Sequence, residues 1–162
     1  MQKKLAFSAI IEAPIGQLGV ITKANKLIRI EFLNSNNLAL LTPQTTFTKE
    51  IGAQLQKYFT DPNFEFDLSI DLIGTPFQKK VWRALQKISP GDARSYGELA
   101  RILNTSARAI GNACRHNPIP IIVPCHRIVA SNGIGGFNGK WQEGVELNIK
   151  SWLLTHEGFS FN

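Results

Sequence analysis

The sequence predicts an α+β protein: a small N-terminal antiparallel sheet with a helix, then a mainly helical C-terminal domain containing a helix-turn-helix. Three observations carry this reading. Short apolar segments separated by turn residues open the chain. An every-fourth-residue stripe and a strictly alternating run come next. After Gly74 the pattern becomes one of short, capped helices. The boundary divides the chain into domains 1–73 and 74–162.

Taken in order, residues 5–11, 17–23 and 27–33 are short and apolar-rich, with Pro14-Ile15-Gly16 and Asn25-Lys26 between them, as in an antiparallel meander. Phe47, Ile51, Leu55 and Phe59 place one stripe on a helix that Asp61-Pro62 ends. Phe64, Phe66, Leu68, Ile70 and Leu72 alternate as in a half-buried strand. Thr75-Pro76 is a helix start, a capping hydroxyl followed by proline at the first helical position. Phe77, Val81, Leu85 and Ile88 form its buried stripe, and Ser89-Pro90-Gly91 stops it. Ser95 and Glu98 make a capping box for a short helix carrying Leu99, Ile102 and Leu103. Asn104-Thr105 breaks the chain before a second short helix, roughly Ser106 to Arg115, and the pair outlines a helix-turn-helix. Its small residues Ala107, Ala109, Gly111 and Ala113 allow close docking, and it carries Arg108 and Arg115. Three prolines in 117–127 argue for a rigid, buried segment outside any sheet ladder. Residues 131–144 are Gly- and Asn-rich and read as a mobile loop. Val145, Ile149, Trp152, Leu153 and His156 mark a last amphipathic helix, capped at Gly158.

A chain of 162 residues with 43% apolar and 19% charged residues buries a core without metal or disulfide staples. The net charge of +6 attracts a polyanion, with nucleic acid the obvious candidate. Two cysteines, Cys114 and Cys125, and three distant histidines match no zinc spacing, so a reducing, intracellular setting with free thiols is expected. The N-terminus is a poor signal peptide, because its apolar stretch is interrupted and carries Glu12. No apolar run approaches the length of a membrane span.

Pro124-Cys125-His126-Arg127 points to chemistry. A thiol becomes a nucleophile where its neighbours favour the thiolate, and His126 and Arg127 can both do so. Adjacent residues of an extended chain face opposite ways, so a Cys125–His126 partnership needs a turn or an intervening water. The alternative is a small core cysteine beside a satisfied histidine. The helix pair likewise reads either as a DNA-binding motif or as ordinary helical packing.

Tyr-Gly-Glu-Leu-Ala at 96–100, Ala-Arg-Ala-Ile-Gly at 107–111, Arg-His-Asn-Pro-Ile-Pro at 115–120, Val-Pro-Cys-His-Arg-Ile at 123–128 and Trp-Leu-Leu-Thr-His-Glu-Gly at 152–158 stand in a specific order and spacing. From about Thr75 to Gly158 the chain resembles the O6-alkylguanine-DNA alkyltransferases, the methylated-DNA–protein-cysteine methyltransferases. The N-terminal half resembles only the variable α+β domain of that family.

The resemblance implies DNA repair by direct reversal, with Cys125 taking the alkyl group from O6-alkylguanine, and possibly O4-alkylthymine, once and irreversibly. It implies that His126 deprotonates Cys125 through a water, that Glu157 polarises His126, and that Asn117 bridges the helix-turn-helix to the active-site segment. Tyr96 matches the residue that protonates the leaving guanine. Arg108 matches the arginine that fills the gap left by a flipped base, on a helix that enters the minor groove. Tyr96, Gly97 and Ser131 fall at DNA contacts, Ile128 where a backbone carbonyl reads the base, and Asn138 near an amide that contacts the substrate oxygen. The segment 135–144 carries extra residues relative to the shorter family form, and Phe137 stands where an aromatic lid residue is common. The implied partner is double-stranded DNA, met by a monomer in the cytoplasm or nucleus, with no cofactor, membrane or protein partner. With no cysteine before Cys114, no zinc is expected. Cys114 is expected to pack within the recognition helix.

Two other classes fit parts of the pattern. A non-catalytic DNA-binding module, whether lesion flagger or helix-turn-helix regulator, binds modified DNA without changing its own mass. A Cys-His hydrolase turns over an ester or peptide, but no oxyanion-hole or distant-histidine signature is evident.

Overall fold

The computed structural model describes residues 6–33, 39–136 and 145–160. The chain forms two compact units, Met1–Ile73 and Gly74–Asn162.

In the first unit, β1 (Ala9–Ala13), β2 (Gly16–Lys23) and β3 (Lys26–Leu33) form an antiparallel sheet in the order β1-β2-β3. Ala24 and Asn25, both at positive φ, make the β2–β3 turn between the paired Lys23 and Lys26. That conformation matches the twist of a two-residue hairpin. Helix α1 (Thr46–Thr60) begins with a reciprocal cap between Thr45 and Thr48, and Ile51 and Leu55 are buried as its stripe requires.

The alternating segment 64–72 is not a strand. It runs extended with even-numbered residues turned inward, but among the described residues its one bridge is Leu27 with Ile70. The Gln54 side chain of α1 explains the difference. It accepts from Asp67 N (2.8 Å) and donates to Asp67 O (2.9 Å), standing where a neighbouring strand would pair. Phe64 and Phe66 pack edge to face, and Phe66 lies 5.5 Å from the Tyr58 ring of α1. The alternation thus reports packing against a helix rather than a ladder.

The second unit contains α2 (Pro76–Leu85), α3 (Tyr96–Ile102), α4 (Ala107–Arg115) and α5 (Val145–His156). Thr75 and Gln78 cap α2 reciprocally with Pro76 in its first turn, and Val81, Leu85 and Ile88 are buried. Phe77 is not part of that stripe, being 37% exposed, and Trp82 takes its place. The Trp82 indole donates to Ala113 O (2.9 Å), which satisfies its N–H in the core and ties α2 to α4. Ser95 caps α3 by accepting from Glu98 N, so the structure has one half of the expected capping box. Ile102 is 68% exposed, and Ala100 is buried beside Leu99 instead. Residues 103–106 link α3 to α4, with Asn104 at φ +54° and Ser106 capping α4. Asparagine tolerates that left-handed conformation, which turns the chain sharply enough for the two helices to pack together.

Two short parallel strands, β4 (Arg94–Ser95) and β5 (Ile128–Val129), pair with each other and flank the α3–α4 pair in sequence. No helix among the described residues is long and apolar enough to cross a membrane.

Candidate active site

The segment before β5 is buried and irregular, as its prolines require. Asn117 shapes it. Its side chain donates to Val123 O (2.8 Å) and accepts from Ile119 N (3.0 Å), closing residues 117–123 into a compact turn. Ile121 lies inside this turn at φ +76°, a region that β-branched residues avoid. Cys125–Arg127 then form one 3-10 turn. This turn, rather than an extended chain, is what separates Cys125 from His126.

Behind the thiol lies a buried charge network. His126 Nε2 is 2.9 Å from Glu157 Oε2. Arg127 donates from Nε to Oε1 and from Nη2 to Oε2 of the same carboxylate, both at 2.9 Å, and from Nη1 to Ile88 O. Burial alone would raise the Glu157 carboxyl. The hydrogen bonds from Arg127 and His126 outweigh it and hold the group well below the usual carboxylate range. The carboxylate can only accept, so the imidazole proton sits on Nε2 and Nδ1 keeps its lone pair. Nδ1 is buried with no hydrogen-bond partner among the described residues. Burial lowers the His126 pKa against the opposing pull of Glu157, which leaves a neutral base.

The Cys125 thiol is 7% exposed. Burial pushes it up, while a hydrogen bond from Asn117 and the charge of Lys150 pull it down. It lines a cavity of about 1100 Å³ together with Tyr96, Gly97, Arg108, Cys114 and Ser131. Helices α3 and α4 supply one wall and residues 130–136 the other. Gly111 and Gly135 sit against the Tyr96 ring, and a Cβ on Gly135 would come within 3.1 Å of it. The Tyr96 hydroxyl donates to Gly136 O (3.3 Å), and burial raises its pKa, so it stays protonated.

Of the residues singled out in the sequence, Tyr96, Gly97, Arg108, Cys125 and Ser131 line this one cavity. Asn117, His126 and Glu157 stand behind Cys125 as its supports. Ile128 is buried, with its carbonyl accepting from Lys150. Asn138 and Phe137 lie outside the described residues. Cys114, expected to pack within its helix, also lines the cavity with Cys125.

Sequence reasoning missed Lys150, and it paired Arg127 with the thiol, whereas Arg127 binds Glu157. The signal for Lys150 was present. Leu147, Lys150, Leu154 and Glu157 recur at helical spacing and are all buried, so one charged residue occupies a core position of α5 and a second continues its buried face into the turn after it. Among the described residues no three His, Cys, Asp or Glu side chains converge as a metal site would require.

Residues 76–159 match the family model for the 6-O-methylguanine DNA methyltransferase, DNA binding domain. A methylated-DNA–protein-cysteine methyltransferase of Mycobacterium tuberculosis is 40% identical over 156 residues, spanning 91% of this chain and 89% of its own length. The chain belongs to the methylated-DNA–protein-cysteine methyltransferase family. Two solved members of the family share its α+β architecture. The M. tuberculosis OGT in complex with DNA superposes with a TM-score of 0.76 at 38% identity, covering 91% of this chain and 90% of that one. An O6-methylguanine DNA methyltransferase from Methanococcus jannaschii gives 0.66 at 30% identity, covering 94% and 95%.

Proposed function

We propose that this protein repairs DNA by direct reversal, moving the alkyl group of O6-alkylguanine to its own Cys125 in one irreversible turnover. One observation carries the reading: a cysteine on a cavity wall is backed by a neutral histidine whose proton-accepting nitrogen is left open by a carboxylate fixed on the other. Its family membership and the DNA-bound relative support DNA as the partner.

His126 Nδ1 takes the Cys125 proton through a water. The sulfur attacks the alkyl carbon, the S–C bond forms and the C–O6 bond breaks. The departing guanine keeps the bonding electrons and receives a proton from Tyr96, whose hydroxyl is replenished by the proton held at His126. The sum is thiol plus alkylguanine giving thioether plus guanine. A thioether resists water, so the protein acts once and needs no cofactor.

Asn117 holds the active-site turn and hydrogen-bonds the thiol. A base must leave the duplex to reach Cys125. Arg108 on exposed α4 suits the vacated space, with Gly97 and Ser131 against the backbone. The Ile128 carbonyl and the Asn138 amide are the candidate contacts to the base. One chain supplies every one of these groups, which supports action as a monomer. The acceptor must be a free thiol, which calls for a reducing compartment.

Intact-mass measurement tests this. After incubation with excess duplex carrying one O6-methylguanine, the protein gains one methyl group on Cys125, and Cys125→Ala gains none. Tight lesion binding without a mass change would make it a recognition module, and no preference for the lesion would remove the reading altogether.

A further inference from the structure

Lys150 is a buried cation that this mechanism has not used. Its side chain is fully buried on α5. Nζ donates to Ile128 O (2.6 Å) and to Gly136 O (2.7 Å), and it lies 5.9 Å from the centre of the Tyr96 ring. Among the described residues no carboxylate forms an ion pair with it, since Glu157, just past the end of α5, is held by Arg127 and His126. Carbonyl dipoles alone compensate a buried ammonium incompletely. Among the described residues, the ionisable groups around it are Tyr96 from α3, Cys114 from α4, and Cys125 and His126 from the 3-10 turn. Among the described residues the two thiols, Cys125 first, are the groups whose negative charge would meet it.

We propose that Lys150 is a positioning residue for alkyl transfer: it ties the Ile128 and Gly136 carbonyls together at the cavity wall, and its ammonium supplies the positive charge against which the Cys125 thiolate forms. The inference rests on the reading of Cys125 as acceptor. The geometry assigns it two effects. The Gly136 carbonyl accepts from both Lys150 and Tyr96, so the lysine fixes the partner that orients the phenol. The Ile128 carbonyl is held at the strand that follows Cys125. During the reaction Lys150 keeps its proton. The thiolate charge it faces disappears as the S–C bond forms, and the leaving guanine carries that charge away until it is protonated. The same ammonium disfavours a proton resting on His126, which helps the proton move on. Burial brings the Lys150 pKa down to about 8, within reach of ordinary assay conditions.

Single-turnover methyl transfer from an O6-methylguanine duplex, followed from about pH 6 to 10, tests the charge. Lys150→Gln keeps a donor for one carbonyl and loses the cation; its rate constant falls by about tenfold or more. Lys150→Arg keeps the cation and retains most of the rate. Because lysine loses its proton above about pH 8 and arginine does not, the wild-type rate declines on the alkaline side and the Lys150→Arg rate does not. In a Cys114→Ala background, the pH midpoint for iodoacetamide labelling of Cys125 rises in Lys150→Gln. A folded Lys150→Gln variant with wild-type rate and labelling midpoint overturns the proposal. If Lys150→Gln does not fold, coincident alkaline profiles of wild type and Lys150→Arg overturn it instead. A wild-type protein that labels with the expected dependence yet takes no methyl group sinks the acceptor reading and leaves the lysine–thiolate pairing standing.

Discussion

Arg127 grips Glu157 through two parallel hydrogen bonds of 2.9 Å, and this buried pair fixes the carboxylate that orients His126. Planar guanidinium matches planar carboxylate, so the geometry is specific as well as strong.

Glu157→Gln breaks that match and leaves Arg127 as an uncompensated buried cation. Stability drops by about 3 kcal/mol, as for other buried pairs that lose one partner. The amide also lets His126 take either tautomer, and transfer slows by about 100-fold. Urea unfolding and single-turnover kinetics on one preparation check both. An unchanged rate would detach Glu157 from the proton path.

Acid destabilises the fold in two stages. The His126 pKa is lowered by burial from 6.5, so its contribution is complete above that value. As pH falls below it, the unfolded imidazole binds a proton that the folded one resists, and stability declines. Glu157 adds a second loss below 4.5, where the unfolded carboxyl protonates while the folded one stays ionised. Denaturant midpoints measured across this range should fall monotonically with acidity. A flat profile between neutrality and 4.5 would contradict the buried, neutral imidazole.

Gly135 sits at φ +75°, and a Cβ there would meet Ala130 N at 2.9 Å and the Tyr96 ring at 3.1 Å. Gly135→Ala therefore costs about 2 kcal/mol. The strain is relieved by moving Tyr96, so transfer slows as well. Thermal melts give the first quantity and adduct formation the second, and an alanine variant as active as wild type would show that Tyr96 is not held by this loop.

Arg108 is exposed on α4 at the cavity rim. If it fills the space of an extruded base, Arg108→Ala hurts reaction with duplex more than reaction with free O6-benzylguanine. The ratio of the two rate constants drops by about tenfold, the scale of an unstacking penalty of a few kcal/mol only partly met by the arginine. Equal losses on both substrates would assign Arg108 to the pocket instead.

Local signals were read well where one element decides them. The four-residue stripe of α1, the Thr75-Pro76 start of α2 and the Asn104 break each depend on a few neighbouring residues, and each lies where the sequence places it. Signals that depend on a partner far along the chain misled. The alternation of 64–72 looks identical whether the neighbour is a strand or Gln54 of a helix. Phe77 and Ile102 are apolar at helical spacing yet exposed, because their helices bury a neighbouring face. The β4–β5 pair is too short to leave any periodicity. At the site, the Pro-Cys-His-Arg run drew attention to Cys125. The placement of Arg127 on Glu157, and of Lys150 on the Ile128 and Gly136 carbonyls, depends on α5 and the turn after it meeting segments 30, 22 and 14 residues earlier in the sequence.

One face of α5 buries Leu147, Lys150 and Leu154, and Glu157 follows, also buried, in the turn just past the helix end. A single segment therefore delivers both charges together, and a slip of its register withdraws both. Cys125 precedes this segment in the chain, so the buried network behind its thiol closes only after residues synthesised later have docked.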